Sequence, residues 1–363
     1  MTTGKAATGS APDRSGGVDT VVVCEPRGFC AGVEMAIKSL GWMLRIFEPP
    51  VYCYHEIVHN RLVVDVFEAA GVVFVDDVAE VPAGAALMLS AHGSAPEVVA
   101  AARAGGGVVV DAVCPLVTKV HHEARKRAAA GFDVIYVGHA GHDEAIGTMA
   151  EAPESMHLVE RASDLDSLEV ADSDAVALLA QTTLAHGEWS EILDGARARF
   201  PNLWTPGRSD LCFATTNRQS AVRAVAADCD LVLVIGSENS SNTQALVRTA
   251  RQAGAPAAVR IDGPDDVGYA LLDGARRVVV TAGASAPESV VAAVVERLAP
   301  RTVEFGRVTD EDEYFPLPRE LRDLIRALDV LVGATTGRTR PAATADSDRS
   351  RSAADVLAAL EPD

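Results

Sequence analysis

The sequence predicts an α/β fold of mainly parallel sheets, with its βα units divided among more than one sheet. Short apolar runs rich in β-branched residues recur along the 363 residues, each followed by a small or polar loop and then by a helical pattern. Continuous apolar runs suit strands buried on both faces, as in a parallel sheet covered by helices. A chain that is 48% hydrophobic can bury a large core, and its length suits two to three domains. Glycine is frequent (29 residues) and aromatics are 5%, which favours tightly turned α/β units over an aromatic-rich sandwich.

In chain order the predicted strands are 21–23, 85–89, 108–110, 134–137, 175–179, 231–235 and 278–281. Segments such as 145–150 and 287–298 are long enough for crossovers that parallel pairing requires. Ser94-Ala95-Pro96-Glu97 after one strand is echoed by Ser285-Ala286-Pro287-Glu288 after another, a hint of repeated units. Serine ahead of proline is a good helix start. The opening MTTGKAATGSAPDRSGGV lacks the apolar stretch of a signal peptide and predicts a flexible leader. Past Arg340, PAATADSDRSRSAA predicts a disordered linker before a short helix.

A net charge of −19 argues against a nucleic-acid partner, because a phosphate backbone needs a basic footprint. No run reaches the roughly 18 apolar residues of a membrane span. The six cysteines show no close pairs and no disulfide spacing, which points to a reducing, cytosolic compartment.

The loops after the strands read PRGFCAG, SAHGSAP, DAVCPLVT, GHAGHDE, QTTLA, GSENSSN and TAGASAP. Ligands of open α/β sheets bind outside the carboxyl ends of the strands, so these loops are expected to assemble one site. Cys30, Cys114 and Cys212 lie 84 and 98 residues apart, with no compact ferredoxin-type run. By spacing alone they read best as small buried hydrophobes. As ligands, three thiolates would leave one iron of a cluster open to substrate. Cys24, Cys53 and Cys229 fit the buried-hydrophobe reading.

His59, His92 and His142 suit phosphate oxygens, especially beside helix N-termini. Zinc is the alternative for histidine and thiolate, although CxxC and HExxH are absent. The other six histidines, at positions 55, 121, 122, 139, 157 and 186, are expected at surface or structural positions. Glu144 could donate a proton if burial keeps it neutral, with Thr182 and Thr183 beside it. Ser240, Ser241, Asn242 and Ser285 offer hydroxyls, an amide and a helix N-terminus to a diphosphate. No nucleotide P-loop or GxGxxG fingerprint is present.

PRGFCAGVEMAI, HEIVHN, SAHGSAP, DAVCPLVTKVH, GHAGHDEAIGTM, QTTL, CFATTNRQ, GSENSSN and TAGASAP, in this order, resemble the hydroxymethylbutenyl diphosphate reductase family from about Val21 to Leu321. The resemblance implies three similar α/β domains around a central 4Fe–4S cluster with three cysteine ligands (Cys30, Cys114, Cys212) and one open iron. It implies diphosphate binding by His59, His92, His142, Ser240, Ser241, Asn242 and Ser285, proton delivery by Glu144, and substrate or water placement by Thr182. The implied reaction is reductive dehydroxylation of (E)-4-hydroxy-3-methylbut-2-enyl diphosphate to isopentenyl and dimethylallyl diphosphate, the last step of the methylerythritol phosphate route. Electrons would come from a ferredoxin or flavodoxin.

The matching domain expectation is a leader at 1–18; a third domain from 19–31 and 211–300; a first from 32–111; a second from 112–210; a C-terminal segment at 301–331; and a disordered tail at 332–363. The competing classes are an iron–sulfur sensor or interaction protein without turnover, and a zinc-dependent phosphate-ester hydrolase.

Overall fold

The computed structural model describes residues 17–336 and 347–361. Its strands are β1 (Thr20–Glu25), β2 (Val51–Tyr54), β3 (Val72–Val75), β4 (Leu87–Leu89), β5 (Val109–Asp111), β6 (Asp133–Val137), β7 (Met156–Val159), β8 (Val176–Ala180), β9 (Leu231–Ile235), β10 (Ala258–Ile261), β11 (Arg277–Ala282) and β12 (Thr302–Arg307). They form three sheets, ordered β10-β9-β11-β1-β12, β3-β2-β4-β5 and β7-β6-β8. Every pairing within them is parallel. The helices are α1 (Ala31–Ile46), α2 (Arg61–Ala69), α3 (Pro96–Ala104), α4 (Pro115–Ala129), α5 (Asp143–Met149), α6 (His186–Arg199), α7 (Phe213–Val225), α8 (Ser241–Gln252), α9 (Glu288–Leu298), α10 (Arg319–Thr336) and α11 (Ala353–Ala358).

The largest sheet shows why its strands read as unbroken apolar runs. Val21, Val23, Leu233, Val278 and Val280 pack on one face with Val291 and Val294 of α9. Val22, Cys24, Val232, Val234 and Val279 pack on the other with Val222 of α7 and Leu246 of α8. Alternate side chains point to opposite faces, so burial of both removes the polar alternation. All seven predicted strands are present. Short strands with a polar residue inside, such as β7 (MHLV) and β10 (AVRI), lacked that signal. So did β12, a largely exposed edge strand.

β1 pairs with β11 on one side and β12 on the other, although some 250 residues separate it from them in the chain. That pairing sets the loop after β1 beside the loop after β11, where the Cys30 N–H donates to the Ala284 carbonyl at 3.1 Å. Helix α1 leaves this sheet and packs Ile37, Leu40 and Met43 against Cys53 and Met88 of the four-stranded one.

Two terminal expectations change. The leader expected at 1–18 lies outside the described residues except for Gly17 and Val18, and Val18 is buried with the β1 core. The tail expected to be disordered from 332 is helical through 336 at the end of α10 and ordered over 347–361, where the expected short helix is α11, while 337–346 lie outside the described residues. Ala353, Val356 and Leu357 of α11 are buried in the α1 core. A Cβ on Gly41 would overlap Val356 Cγ1, so the glycine lets α11 approach. Asp348 meets the buried Lys38 ammonium at 3.6 Å, and Ser352 with Asp355 forms a capping box. Apolar side chains, the Lys38–Asp348 ion pair and the Ala353 N–H bond to Glu34 dock a segment whose composition is polar.

Candidate active site

Three helices begin directly after a cysteine: Cys30 is the N-cap of α1, Cys114 of α4 and Cys212 of α7. Their thiols line one cavity. A Cβ on Gly32 would fall 2.9 Å from Cys114 Sγ and 3.9 Å from Cys30 Sγ, so only glycine lets these two strands of chain close up. Burial first, and then the neighbouring Cys30 thiol, push Cys114 upward and Cys212 up to about 11. Such thiols stay protonated until a cation neutralises them, and coordination to metal deprotonates a thiol outright. The described residues include one group of three whose ligand atoms lie within 4.8 Å of one another: His59, His92 and Asp143. The three thiols are not such a group.

Beside the thiols lies a buried acid. Glu144, in the first turn of α5, is 2% exposed. Its Oε1 accepts from the Thr182 N–H at 2.7 Å, and its Oε2 meets the Thr182 hydroxyl at 3.0 Å. The Thr182 carbonyl in turn accepts from the Cys212 N–H at 3.0 Å, tying the acid to the thiol loop. Burial raises Glu144 to about 7, against the lowering pull of both Thr182 bonds. A carboxyl poised there holds a proton near neutral pH and can release it.

The same cavity is also lined by groups suited to an anion. His142 caps α5 by accepting the Glu144 N–H at Nδ1, 3.1 Å away. Burial and the nearby His59 lower His142 to about 4, so at neutral pH its Nε2 carries the remaining proton and can donate it. His92 is held neutral by burial, and its ring stacks on His59 at 3.9 Å and 11°. His59 Nε2 is buried without a hydrogen-bond partner. An orphaned ring nitrogen of this kind marks a place for a ligand. Ser240 caps α8 through the Thr243 N–H, and Ser241 and Asn242 begin that helix, whose free N–H groups favour anions. The Ser285 hydroxyl donates to the His59 carbonyl at 2.9 Å, and Asn242 Oδ1 accepts from Ala284 N–H at 3.0 Å.

The profile of the family described as LytB protein matches residues 21–299. The chain belongs to the LytB family. Within it, the chain is 48% identical to a 4-hydroxy-3-methylbut-2-enyl diphosphate reductase of Rhodopirellula baltica, over 83% of this chain and 95% of that protein. It is also 48% identical to a 4-hydroxy-3-methylbut-2-enyl diphosphate reductase 2 of Mycobacterium tuberculosis, covering 83% and 91%. A solved structure of the E-1-hydroxy-2-methyl-but-2-enyl-4-diphosphate reductase of Plasmodium falciparum superposes with a TM-score of 0.83 at 33% identity, covering 86% of this chain and 99% of that one.

In this LytB chain all twelve residues singled out from the sequence line the same cavity. Cys24, Cys53 and Cys229 are buried elsewhere in the cores, as their small apolar character suggested. Sequence reasoning missed Asp143, which accepts from His55 Nδ1 at 2.9 Å and lies 3.7 Å from His92 and 3.9 Å from His59. His55, expected at a surface or structural position, therefore borders the histidine group. It also missed Thr215, whose N–H points at Cys212 Sγ at 3.2 Å, and Phe315, which walls the cavity near Phe213. Asp143 was visible between His142 and Glu144, but a lone acid among histidines carries no signal until its neighbours are known.

Proposed function

We propose that this protein reduces (E)-4-hydroxy-3-methylbut-2-enyl diphosphate to isopentenyl and dimethylallyl diphosphate, with electrons from a ferredoxin or flavodoxin in the cytosol. The observation that carries the reading is one cavity lined together by a protonatable, buried Glu144–Thr182 pair, three thiols, and histidine, serine and asparagine side chains suited to an anion. The identity to named reductases over most of their length supports the same substrate.

Cys30, Cys114 and Cys212 would hold a 4Fe–4S cluster with one iron free of protein ligand. When bound, it supplies single electrons and Lewis acidity toward the substrate hydroxyl. The chain's own residues do the rest. His142 Nε2–H, the α8 N-terminus and the hydroxyls of Ser240 and Ser241 orient the diphosphate, joined by Ser285 when its hydroxyl turns from the His59 carbonyl, with His59, His92 and Asn242 beside them. With Glu144 protonated at Oε2, that O–H donates to Thr182 Oγ1, and the Thr182 hydroxyl proton turns toward the cavity. The pair can thus pass a proton to the departing oxygen. Two electrons and two protons balance loss of the hydroxyl as water and gain of one hydrogen at carbon. Burial of the pair keeps bulk water from competing.

Zinc held by the histidine group would need His59 and His92 to share one ion with Asp143. Their rings are nearly parallel and stacked, so their in-plane lone pairs do not converge on a point. An anion placed along donor N–H groups suits the arrangement better. The deciding experiment is an anaerobic assay with this diphosphate and a chemical reductant, following both products and measuring iron, sulfide and zinc. Turnover by an iron- and sulfide-bearing protein is expected; a colourless, zinc-loaded and inactive preparation overturns the reading. Cys114→Ser should lose or degrade the cluster, whereas Cys229→Ser should keep it.

A further inference from the structure

Arg218 is a permanently charged side chain that is 1% exposed, and none of the chemistry above uses it. It lies on α7, less than two turns after Cys212. Its Nη2 and Nε donate to the Gly28 carbonyl at 2.7 and 3.2 Å, and Nη2 reaches the Phe29 carbonyl at 3.4 Å. Those carbonyls belong to the two residues immediately before Cys30. Its Nη1 donates to Ala214, in the first turn after Cys212, at 3.1 Å. Nη1 also meets both carboxylate oxygens of Glu311, at 2.9 and 3.0 Å. Glu311 further accepts from Asn217 Nδ2 at 3.0 Å. It comes from the segment after β12, beyond the residues matched by the family profile.

A buried charge persists only when paired and hydrogen-bonded, and breaking such a pair on one side leaves the other uncompensated. Here one guanidinium joins the Cys30 loop to the Cys212 helix, and one carboxylate neutralises it.

We propose that Arg218 and Glu311 are a positioning pair for the thiol set, fixing the Cys30 loop against Cys212 and setting the charge felt by the metal–sulfur group held there. The inference rests on the cluster reading given above. With Glu311 neutralised, the unopposed guanidinium favours the reduced, more negative state; with Arg218 neutralised, the carboxylate disfavours it. The two losses should therefore move the reduction potential in opposite directions. A purely structural role would weaken cluster retention in both variants and give no such sign pattern.

The test is a redox titration, followed by electron paramagnetic resonance, of the anaerobically purified full chain and its variants. Glu311→Gln should raise the midpoint by about 59 mV, the one-electron equivalent of a tenfold shift in the reduction equilibrium. Arg218→Gln should lower it, and Glu311→Asp should return it to the wild-type value. Where Arg218→Gln fails to fold or to retain iron, the sign of the Glu311→Gln shift decides alone. Unchanged or lowered potentials in Glu311→Gln overturn the inference and leave the cluster reading intact. A wild-type protein without iron and sulfide overturns both.

Discussion

The first turn of α5 has two sides, and its two adjacent carboxylates behave in opposite ways. Glu144 turns inward to Thr182 and the thiol loop, where burial lifts it to about 7. Asp143 turns to the histidine wall, where burial also pushes upward but the His55 hydrogen bond and the surrounding imidazoles outweigh it and hold the carboxyl at about 2. One residue of sequence separation thus yields an acid that keeps its proton near neutrality and a fixed anion. Pairs of titratable groups driven apart in this way divide the chemistry between them. The lesson is that partners decide: Glu144 has neutral hydrogen-bond donors, whereas Asp143 has a chargeable one.

The strongest way to break the contrast is to remove the proton. Glu144→Gln should keep the iron content and substrate binding of the wild type yet lose about 10²–10⁴-fold in kcat, the usual size of a general-acid contribution. Unimpaired turnover would remove Glu144 as the donor. The same variant tests stability. A carboxyl whose folded pKa is raised helps fully only below its unfolded value, and that help is lost as pH climbs from about 4.5 through about 7. Above pH 7, Glu144→Gln should therefore be more stable than wild type by roughly 2–3 kcal/mol in denaturant titrations, given a shift of this size.

A smaller effect comes from Thr182→Val. It deletes the hydroxyl bond that pulls Glu144 downward while keeping the backbone N–H bond. The alkaline limb of the kcat profile, expected near pH 7 in wild type, should move upward as kcat falls. A limb that stays in place would show that Glu144 does not govern it.

The smallest effect is expected from Asp143→Asn. His55 is raised chiefly by its hydrogen bond to Asp143, so its titration, followed by nuclear magnetic resonance, should fall. Asp143 stabilises the fold above its unfolded pKa, and that contribution disappears as pH drops through about 2. The variant should lose about 1–2 kcal/mol of stability at neutral pH, on the scale of one hydrogen bond to a charged group, and be less sensitive to acid between roughly pH 4 and 2. Its kcat should change little. A kcat loss matching that of Glu144→Gln would collapse the distinction between the two sides.

Much of this was legible in the residues. Runs such as LVLVI and RVVVTA announced strands buried on both faces, because two-sided burial removes polar alternation. The loops that follow them named the cavity lining, since Cys and His are unusual choices for a mere turn, whereas Gly, Ser and Asn are ordinary ones. What stayed hidden depended on distance in the chain. The docking of α11 on α1 needs Gly41 and Val356 to meet, and neither announces the other. The Arg218–Glu311 pair joins residues 93 apart.

By itself the sequence determined which segments are strands with sheet-edge loops, and which side chains could bind an anion, a metal or a proton. Local periodicity and residue chemistry carry that information. Only the tertiary structure decided that three single cysteines share one cavity, because that depends on β1 joining a sheet formed some 250 residues later. It also decided that Glu144 is neutral enough to donate while Asp143 is not. Ionisation follows burial and partners, and both are set by packing rather than by residue type.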